Sequence, residues 1–559
     1  MPNTIIYKRA ELLLLSVGPM TTILVSPNTN FDPINLIKVL WLTSISFLII
    51  GLIFSTWKFS VKRANKFFWI LVGFFILAMI STLIFSKAPL NQQFWGTFGR
   101  STGFLTYISL LFILVCSVLI HSQKYLKHLI LGFIFTSVPI TLYSLIQIAG
   151  MDPVPWSAKD VFATLGNANF LSAFLGMTAV SVFALALDRK LKLGSRVALY
   201  FLFIIQALVI VISKSIQGPM ILAAGVGLCI YIFLRCNFKS VLFRMSYLLT
   251  GLICTLLTVL ALSNKGPLAK VIYQPTILFR ADYMHAGWKM TLERPFYGVG
   301  LDSYGDWYRT LRGSISTLRT SPDRTANVAH NIFLDFSSNG GFPLLLAYLG
   351  LVLFALIGGI KFLKKSTDYN PVIVALFCSW VAYQVQSLVS INQVGVGVWG
   401  WLFTGSLIGL LNLNNKDEII SNNSLKGKKT IRQVSLPPIA ILTSMIMLIF
   451  GFLLSFIPFS ADMKYKSAIQ TSQLDKMILA TEANGSTLWH LSTILDKAVM
   501  NNFETQARDL DLRLIRDYPR DFYGWKVLYT LNSSSPEEKA HALRKLRELD
   551  PYNPQIPKS

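Results

Sequence analysis

Runs of about twenty consecutive apolar residues recur along this 559-residue chain, at 39–57, 67–86, 103–120, 129–149, 168–187, 197–213, 215–234, 245–263, 340–360, 370–390, 394–413 and 437–458. A helix of roughly 20 apolar residues crosses the hydrocarbon core of a bilayer. The runs are continuous, which excludes a closed barrel, whose strands alternate. An earlier run, 12–26, follows Lys8 and Arg9. It reads as a short span or as a signal-like apolar segment. Counted as a span, it gives a polytopic all-α bundle of about thirteen helices.

Composition agrees. Apolar residues are 53% of the chain and charged residues only 14%, which excludes an ordinary soluble domain and a disordered chain. Lys and Arg number 51 against 27 Asp and Glu, a net +24. The excess forms no stripe on a soluble domain, so nucleic acid is not an expected partner. Of five cysteines, Cys116, Cys229, Cys254 and Cys378 lie in apolar runs and Cys236 in a short basic loop. No C-x-x-C occurs, so neither a zinc site nor a redox pair is expected.

Charge orients the bundle. Lys58, Lys62, Arg63 and Lys66 share one connection, Lys124 and Lys127 another, and Arg189, Lys190, Lys192 and Arg196 a third. Arg235, Lys239 and Arg244, then Lys361, Lys364 and Lys365, then Lys416, Lys426, Lys428, Lys429 and Arg432 continue the series. Every second short loop is basic; those between hold only Lys87, Arg100, Lys159 and Lys214. The positive-inside rule puts the N-terminus in the cytoplasm and residues 264–339 and 459–559 outside. Four regions follow: membrane helices in 1–90, a main membrane domain in 91–413, a cytoplasmic loop and last span in 414–460, and an outer helical domain in 461–559. In that last domain Pro519 and Pro551 are spaced near the tetratricopeptide period. Leu510, Leu512, Leu514 and Ile515 can pack on a neighbouring helix. It reads as a self-covering helical hairpin or as a repeat pair that binds an envelope protein partner.

The outer loop 264–339 is too long for a connector. It carries Arg280, Arg294, Arg309, Arg312, Arg319 and Arg324 among Trp288, Trp307, Tyr304 and Tyr308. Guanidinium forks match phosphate oxygens, and aromatic faces suit sugars and lipid. A lipid-linked phosphosugar fits that mixture; the competing reading is arginines that snorkel to anionic headgroups. Pro275 and Pro295 bracket a helix-length stretch in which Arg280, Met284 and Trp288 share a face. Gly298 and Gly300 follow, where the backbone can turn tightly or approach a ligand. His330, in "AHNIFLDF", is a candidate for handling an acceptor's proton. Asp302 and Asp335 are further possible bases. Three outer turns add Arg100 in "FGRSTGF", Asn167 and Asn169 in "TLGNANF", and Lys214 and Gln217 in "SKSIQGP".

These segments, with "RADYMHAGWKMTLERPFYGVGLDSYG" and "AHNIFLDFSSNGGFPLLL", resemble the bacterial O-antigen ligase superfamily. That group includes O-antigen polymerases and protein O-oligosaccharyltransferases. The resemblance spans roughly residues 90–410. It implies a GT-C-like or related multi-helix fold in the bacterial cytoplasmic membrane, with a site facing the extracytoplasmic side. It implies an undecaprenyl-pyrophosphate-linked glycan donor, a hydroxyl of a glycan, lipid or protein as acceptor, and neither cofactor nor essential metal. By position, Arg280 matches the arginine assigned to the diphosphate, His330 the histidine assigned to acceptor or proton, and Arg100 the arginine of the earlier turn. Trp288, Asn167, Asn169 and Asn331 are read as further substrate contacts. "SKSIQGP" departs from the pattern: many relatives have an arginine after the serine. Lys214 or Gln217 must serve there, or the contact is not needed. A polymerase of the same superfamily and a lipid-linked glycan flippase are the alternatives. The flippase lacks an internal hydropathy repeat.

Overall fold

The computed structural model describes residues 2–156, 160–274, 276–366, 368–412 and 436–557. Lys159, Pro275 and the basic series Lys416–Arg432 lie outside them. All regular structure among the described residues is helical. We number the longer helices in chain order: α1 Pro2–Ile23, α2 Asn35–Phe54, α3 Lys66–Phe85, α4 Phe104–Leu119, α5 Gln123–Ile148, α6 Ala168–Ala186 and α7 Leu193–Ile212. Then come α8 Gln217–Asn237, α9 Val241–Leu262, α10 Thr276–Glu293, α11 Ile332–Lys365, α12 Pro371–Ser387, α13 Val394–Gly409 and α14 Pro438–Gln470. Ten of these are long and apolar enough to cross a membrane, and α4 and α12 are shorter apolar helices. Most of the early run, 12–23, lies in α1, whose Leu14 and Val17 are buried in the bundle core.

α13 is the hub. It is buried along its whole length, Trp399 and Trp401 included, and packs on α1, α4 and α11. α9 is the opposite case. Leu242, Leu252 and Leu256 stand exposed on it, as Phe201 and Leu208 do on α7. Apolar surface of that extent is costly in water and suits a lipid-facing belt.

α11 is broken. Gly341 has φ 71° and ψ −177° inside it, so a half-helix over 332–340 meets a long helix over 342–365 at a kink. "NGGFP" explains the break: glycine ends the first piece in a conformation that L-residues avoid, and proline starts the second. The turn after α10 docks there. Phe342 N donates to Pro295 O (2.7 Å), Val299 N to Ser338 O (2.8 Å) and Gly300 N to Asn339 O (3.1 Å). Gly298 and Gly300 therefore serve a close backbone approach to this break.

The C-terminal region forms five helices: α15 Leu474–Thr481, α16 Leu488–Met500, α17 Glu504–Asp517, α18 Phe522–Thr530 and α19 Pro536–Leu549, each packed on the next. Leu510 and Leu514 enter its core, and Leu512 and Ile515 pack on a second cluster around Trp525. The unit is clamped onto the connections at one end of the bundle. Arg312 Nη2 and Arg309 Nη1 reach Asp550 Oδ2 at 2.6 and 3.0 Å. Arg520 stacks on Trp307, 3.6 Å from its ring centroid. On α14, Asp462 accepts from Phe31 N and Asp32 N and pairs with His490 Nε2 at 3.0 Å.

Arg312 and Asp550 are both fully buried, and removing one member of such a pair costs about 3–5 kcal/mol because the other stays uncompensated. Asp550→Ala should loosen the clamp. Hydrogen exchange should rise across 504–557 and 304–324 while α13 stays protected. Unchanged exchange in both segments would contradict the clamp.

Candidate active site at one end of the bundle

Six connections gather at the end where α10 and the half-helix of α11 meet. Each sequence-predicted residue can be located on them. Arg100 sits in the turn between α3 and α4, half-buried, and lines a cavity of about 130 Å³ with Asp302, Asp335, Tyr107 and Asn392. Asp302 and Asp335 lie close enough to favour its charged form, against burial, which lowers its pKa. Its guanidinium nevertheless makes no ion pair among the described residues. Asp302 is occupied elsewhere: Oδ2 accepts from Thr97 N (2.7 Å), Thr97 Oγ1 (3.2 Å) and Thr102 N (3.3 Å), which fixes the Arg100 turn. Burial raises the Asp302 carboxyl above its ordinary range, and the Thr97 bond and Arg100 oppose that.

Asp335 positions His330. Its Oδ1 accepts from Ala329 N at 2.7 Å, while Asn331 caps the half-helix by accepting from Phe333 N and Leu334 N. Between these two ties His330 is held at φ 55°, a conformation that costs on the order of 1–3 kcal/mol and clusters at functional sites. The imidazole stacks on Tyr283, 5.5 Å between centroids. Burial, then Arg100, then Arg280 push its pKa down to about 3. The sequence alone pointed to a histidine titrating near neutrality; in the free protein this one is a neutral imidazole across the physiological range.

Arg280 completes the cluster. It lies on α10, half-buried, with Nη1 donating to Val389 O at 3.2 Å. Burial lowers its pKa, yet a guanidinium stays charged. The same carbonyl accepts from Gln217 Nε2 at 3.2 Å, and Asn331 Nδ2 donates to the adjacent Leu388 O at 3.1 Å. The connection between α12 and α13 is thus the shelf on which Arg280, Gln217 and Asn331 rest. Gln217 Oε1 is buried without a partner. Asn169 Oδ1 accepts from Ser215 Oγ (2.8 Å), which ties it to the turn carrying exposed Lys214. Asn167 caps α6 through Asn169 N (2.8 Å).

Other residues are not brought in. Trp288 is 44% exposed and packs edge-on against Phe342 beside the helix break. It is eight residues along α10 from Arg280, about 12 Å by helical rise. The remaining loop arginines serve the fold. Arg309 and Arg312 bind Asp550, Arg319 binds Asp282 at 2.8 Å, and Arg294 and Arg324 lie over Trp307 and Phe279. Of the six loop arginines, Arg280 is the one that acts on His330, joined by Arg100 from a different connection. Sequence reasoning missed Asn35, which donates to Gly99 O at 2.9 Å, and the 388–393 shelf. Its signal was legible: "SINQ" is polar within a very short turn between two apolar runs. Among the described residues no group of His, Cys, Asp and Glu is arranged to hold a metal ion.

Fold and site define a class: a multi-helix membrane protein with guanidinium groups and an imidazole gathered at one end of its bundle. Residues 201–349 match the family model described as O-antigen ligase, which supports the resemblance to that superfamily. The matched segment carries Lys214, Gln217, Arg280, Trp288, His330 and Asn331. Arg100, Asn167 and Asn169 precede it and join the site through geometry. No curated protein matches the chain significantly.

A Cβ at residue 298 would lie 2.3 Å from the Asn339 carbonyl carbon, at φ 63°. Gly298→Ala should destabilise the protein by about 1–3 kcal/mol or more, seen as a lowered thermal unfolding midpoint in detergent. Gly73→Ala, where a Cβ meets nothing within 4 Å, should leave the midpoint in place. Equal midpoints for both variants would contradict the docking of 295–300 on the break.

Proposed function

We propose that this protein is a glycosyltransferase that moves a glycan from an undecaprenyl-pyrophosphate carrier to a hydroxyl acceptor at the outer face of the bacterial cytoplasmic membrane. The observation that carries the reading is the pair Arg100 and Arg280. Both are free of carboxylate partners within ion-pair distance among the described residues, and both act electrostatically on neutral His330. Fixed positive charge at a partly dry site stabilises the charge that develops on a departing diphosphate, commonly the largest catalytic contribution. The bond from the sugar's C1 to the carrier's phosphate oxygen breaks as the acceptor oxygen bonds C1. Direct displacement inverts the anomeric centre, and the acceptor's proton passes to His330.

Electrostatics couples these steps. Without a bound anion, Arg100 and Arg280 keep the His330 imidazole a poor base. A bound diphosphate offsets their charge and raises the histidine's proton affinity. The base is thus strengthened when the leaving group is in place. The outward-facing site rests on a topology of thirteen crossings with the N-terminus inside, which charge placement favours: the connections bearing Lys58, Lys62, Lys124, Lys127, Arg189 and Lys190 alternate with those that build it. The site sits in outer connections, capped by α15–α19, and not midway through the spans, which favours transfer over transport. A second lipid-linked glycan as acceptor would make the enzyme a polymerase.

Purified protein in detergent, given lipid-linked oligosaccharide and an envelope-derived hydroxyl acceptor, should yield glycosylated acceptor and free carrier diphosphate by mass spectrometry. Detergent removes vesicle asymmetry, so a pure flippase gives neither product. Arg280→Lys should slow transfer more than tenfold, because one point charge replaces a two-pronged, charge-assisted contact worth about 1.5–3 kcal/mol.

His330 also sets a pH prediction. Its folded pKa is depressed, so protonation in the free enzyme begins only in strong acid. The acid limb of kcat/KM, which reports the free enzyme, should show no histidine step between pH 5 and 8. The limb of kcat, which reports the complex, should lie at higher pH and vanish in His330→Ala, with kcat reduced and donor binding retained. Coincident limbs would contradict the coupling.

A further inference from the structure

A second cavity, larger than the one around Arg100, opens beside it. Its volume is about 630 Å³, within the roughly 300–1,000 Å³ typical of small-ligand sites. One wall is the stretch Asn91–Phe98 with the outer-loop residues Thr325 and Asn327. The other is the C-terminal helical unit, through Trp489, Ser492 and Phe522. The wall residues Phe98 and Trp489 stack across the two units, with ring centroids 4.0 Å apart and planes at 9°. Neither unit makes this cleft alone.

From this lining we infer that the C-terminal helices complete a saccharide-binding subsite, with several sugar units seated between them and the membrane domain. The inference rests on the glycan-transfer reading above and deepens it. Pyranose rings present apolar C–H faces and a rim of hydroxyls. The cleft is lined by aromatic rings (Trp95, Trp489, Phe522) interleaved with short polar side chains (Ser492, Thr325, Asn327). Gln92, 5% exposed, also stands in the wall: its Nε2 is used by Asp302 O, Ser303 Oγ and Asp306 Oδ2, and its buried Oε1 has no partner among the described residues.

The charges argue against a phosphate in this cleft. Four carboxylates, Asp306, Asp323, Asp496 and Asp521, line it against three cations, Arg309, Arg520 and Lys526. Its arginines are already engaged: Arg309 with Asp550 and Pro322 O, Arg520 with Thr310 Oγ1 and the Trp307 ring. The lining is also entirely helix and loop, with no strand edge to receive an extended peptide. The position suits the chemistry. Asn91, Gln92 and Trp95–Phe98 face the cleft, and Gly99, Arg100 and Thr102 line the Arg100 cavity, so one loop separates the two. A glycan in the cleft can place its terminal unit beside Arg100 and His330.

Two sources supply such a saccharide: the donor's own distal sugars, or a glycan acceptor. The probes are therefore two dephosphorylated, carrier-free oligosaccharides, one released from the cell's lipid-linked pool and one from its mature envelope polymer. Binding to the full-length protein in nanodiscs is read by saturation-transfer NMR. At least one probe should bind wild type. Binding should fall at least tenfold in Ser492→Trp, which fills the cleft from a half-buried position, and also weaken in Asn327→Ala, on the exposed opposite wall. Because these probes carry no diphosphate, the test is separate from the transfer assay: glycan binding can fail while transfer succeeds, or the reverse. Binding of the donor-derived probe alone assigns the cleft to the donor, and of the polymer-derived probe alone to the acceptor. Failure of both probes, equal affinity in Ser492→Trp, or binding of a serine-rich peptide in place of either glycan overturns the inference.

Discussion

Two guanidinium groups that make no ion pair among the described residues, and that both act on one imidazole, are the constraint around which this structure is arranged. Like charges in a partly buried place repel and lose hydration, so the surrounding framework must hold them. It does so from separate elements. Asp302 anchors the Arg100 turn through backbone and hydroxyl donors. The Val389 carbonyl takes one arm of Arg280, and Asp335 with Asn331 fixes the strained His330 turn. Each tie spends a polar group on position and leaves the cationic faces unneutralised. An arrangement of this kind stabilises an anionic ligand far better than it stabilises the empty protein.

The framework depends in turn on the break at Gly341. A continuous α11 would leave no place for the 295–300 turn, and that turn leads directly to Asp302. The break, the two docked glycines and the Asp302 anchor are consecutive links from a backbone irregularity to the arginine turn. Backbone groups freed by such a break need partners, and here the 295–300 turn exchanges hydrogen bonds with Ser338, Asn339 and Phe342.

Much of this was legible in the sequence, for definite reasons. Helices need long apolar runs, so the membrane elements could be read directly. "NGGFP" and "PFYGVG" carry their backbone requirement in their residues, but only the fold reveals that they meet each other. Arg280, His330 and Arg100 were recognisable from motif context. The fate of the other loop arginines was not, because a guanidinium bound to Asp550, more than 200 residues away, looks the same in sequence as one awaiting a phosphate. The neutral state of His330 was equally hidden, since it arises from burial and from arginines on two distant segments. The polar 388–393 turn was visible but unread.

The C-terminal helices change meaning in this light. As a sequence they read as a self-covering hairpin or a partner-binding repeat pair. In the structure they share a buried ion pair with the outer loop and an aromatic stack with the Arg100 connection, so they are part of the architecture above the cationic cluster. The central claim remains that this cluster receives a lipid-borne diphosphate. Native mass spectrometry of the intact protein with undecaprenyl pyrophosphate tests it most directly. The account predicts a bound lipid in wild type that is lost in the Arg100→Ala, Arg280→Ala double variant; equal occupancy in the two proteins would contradict it.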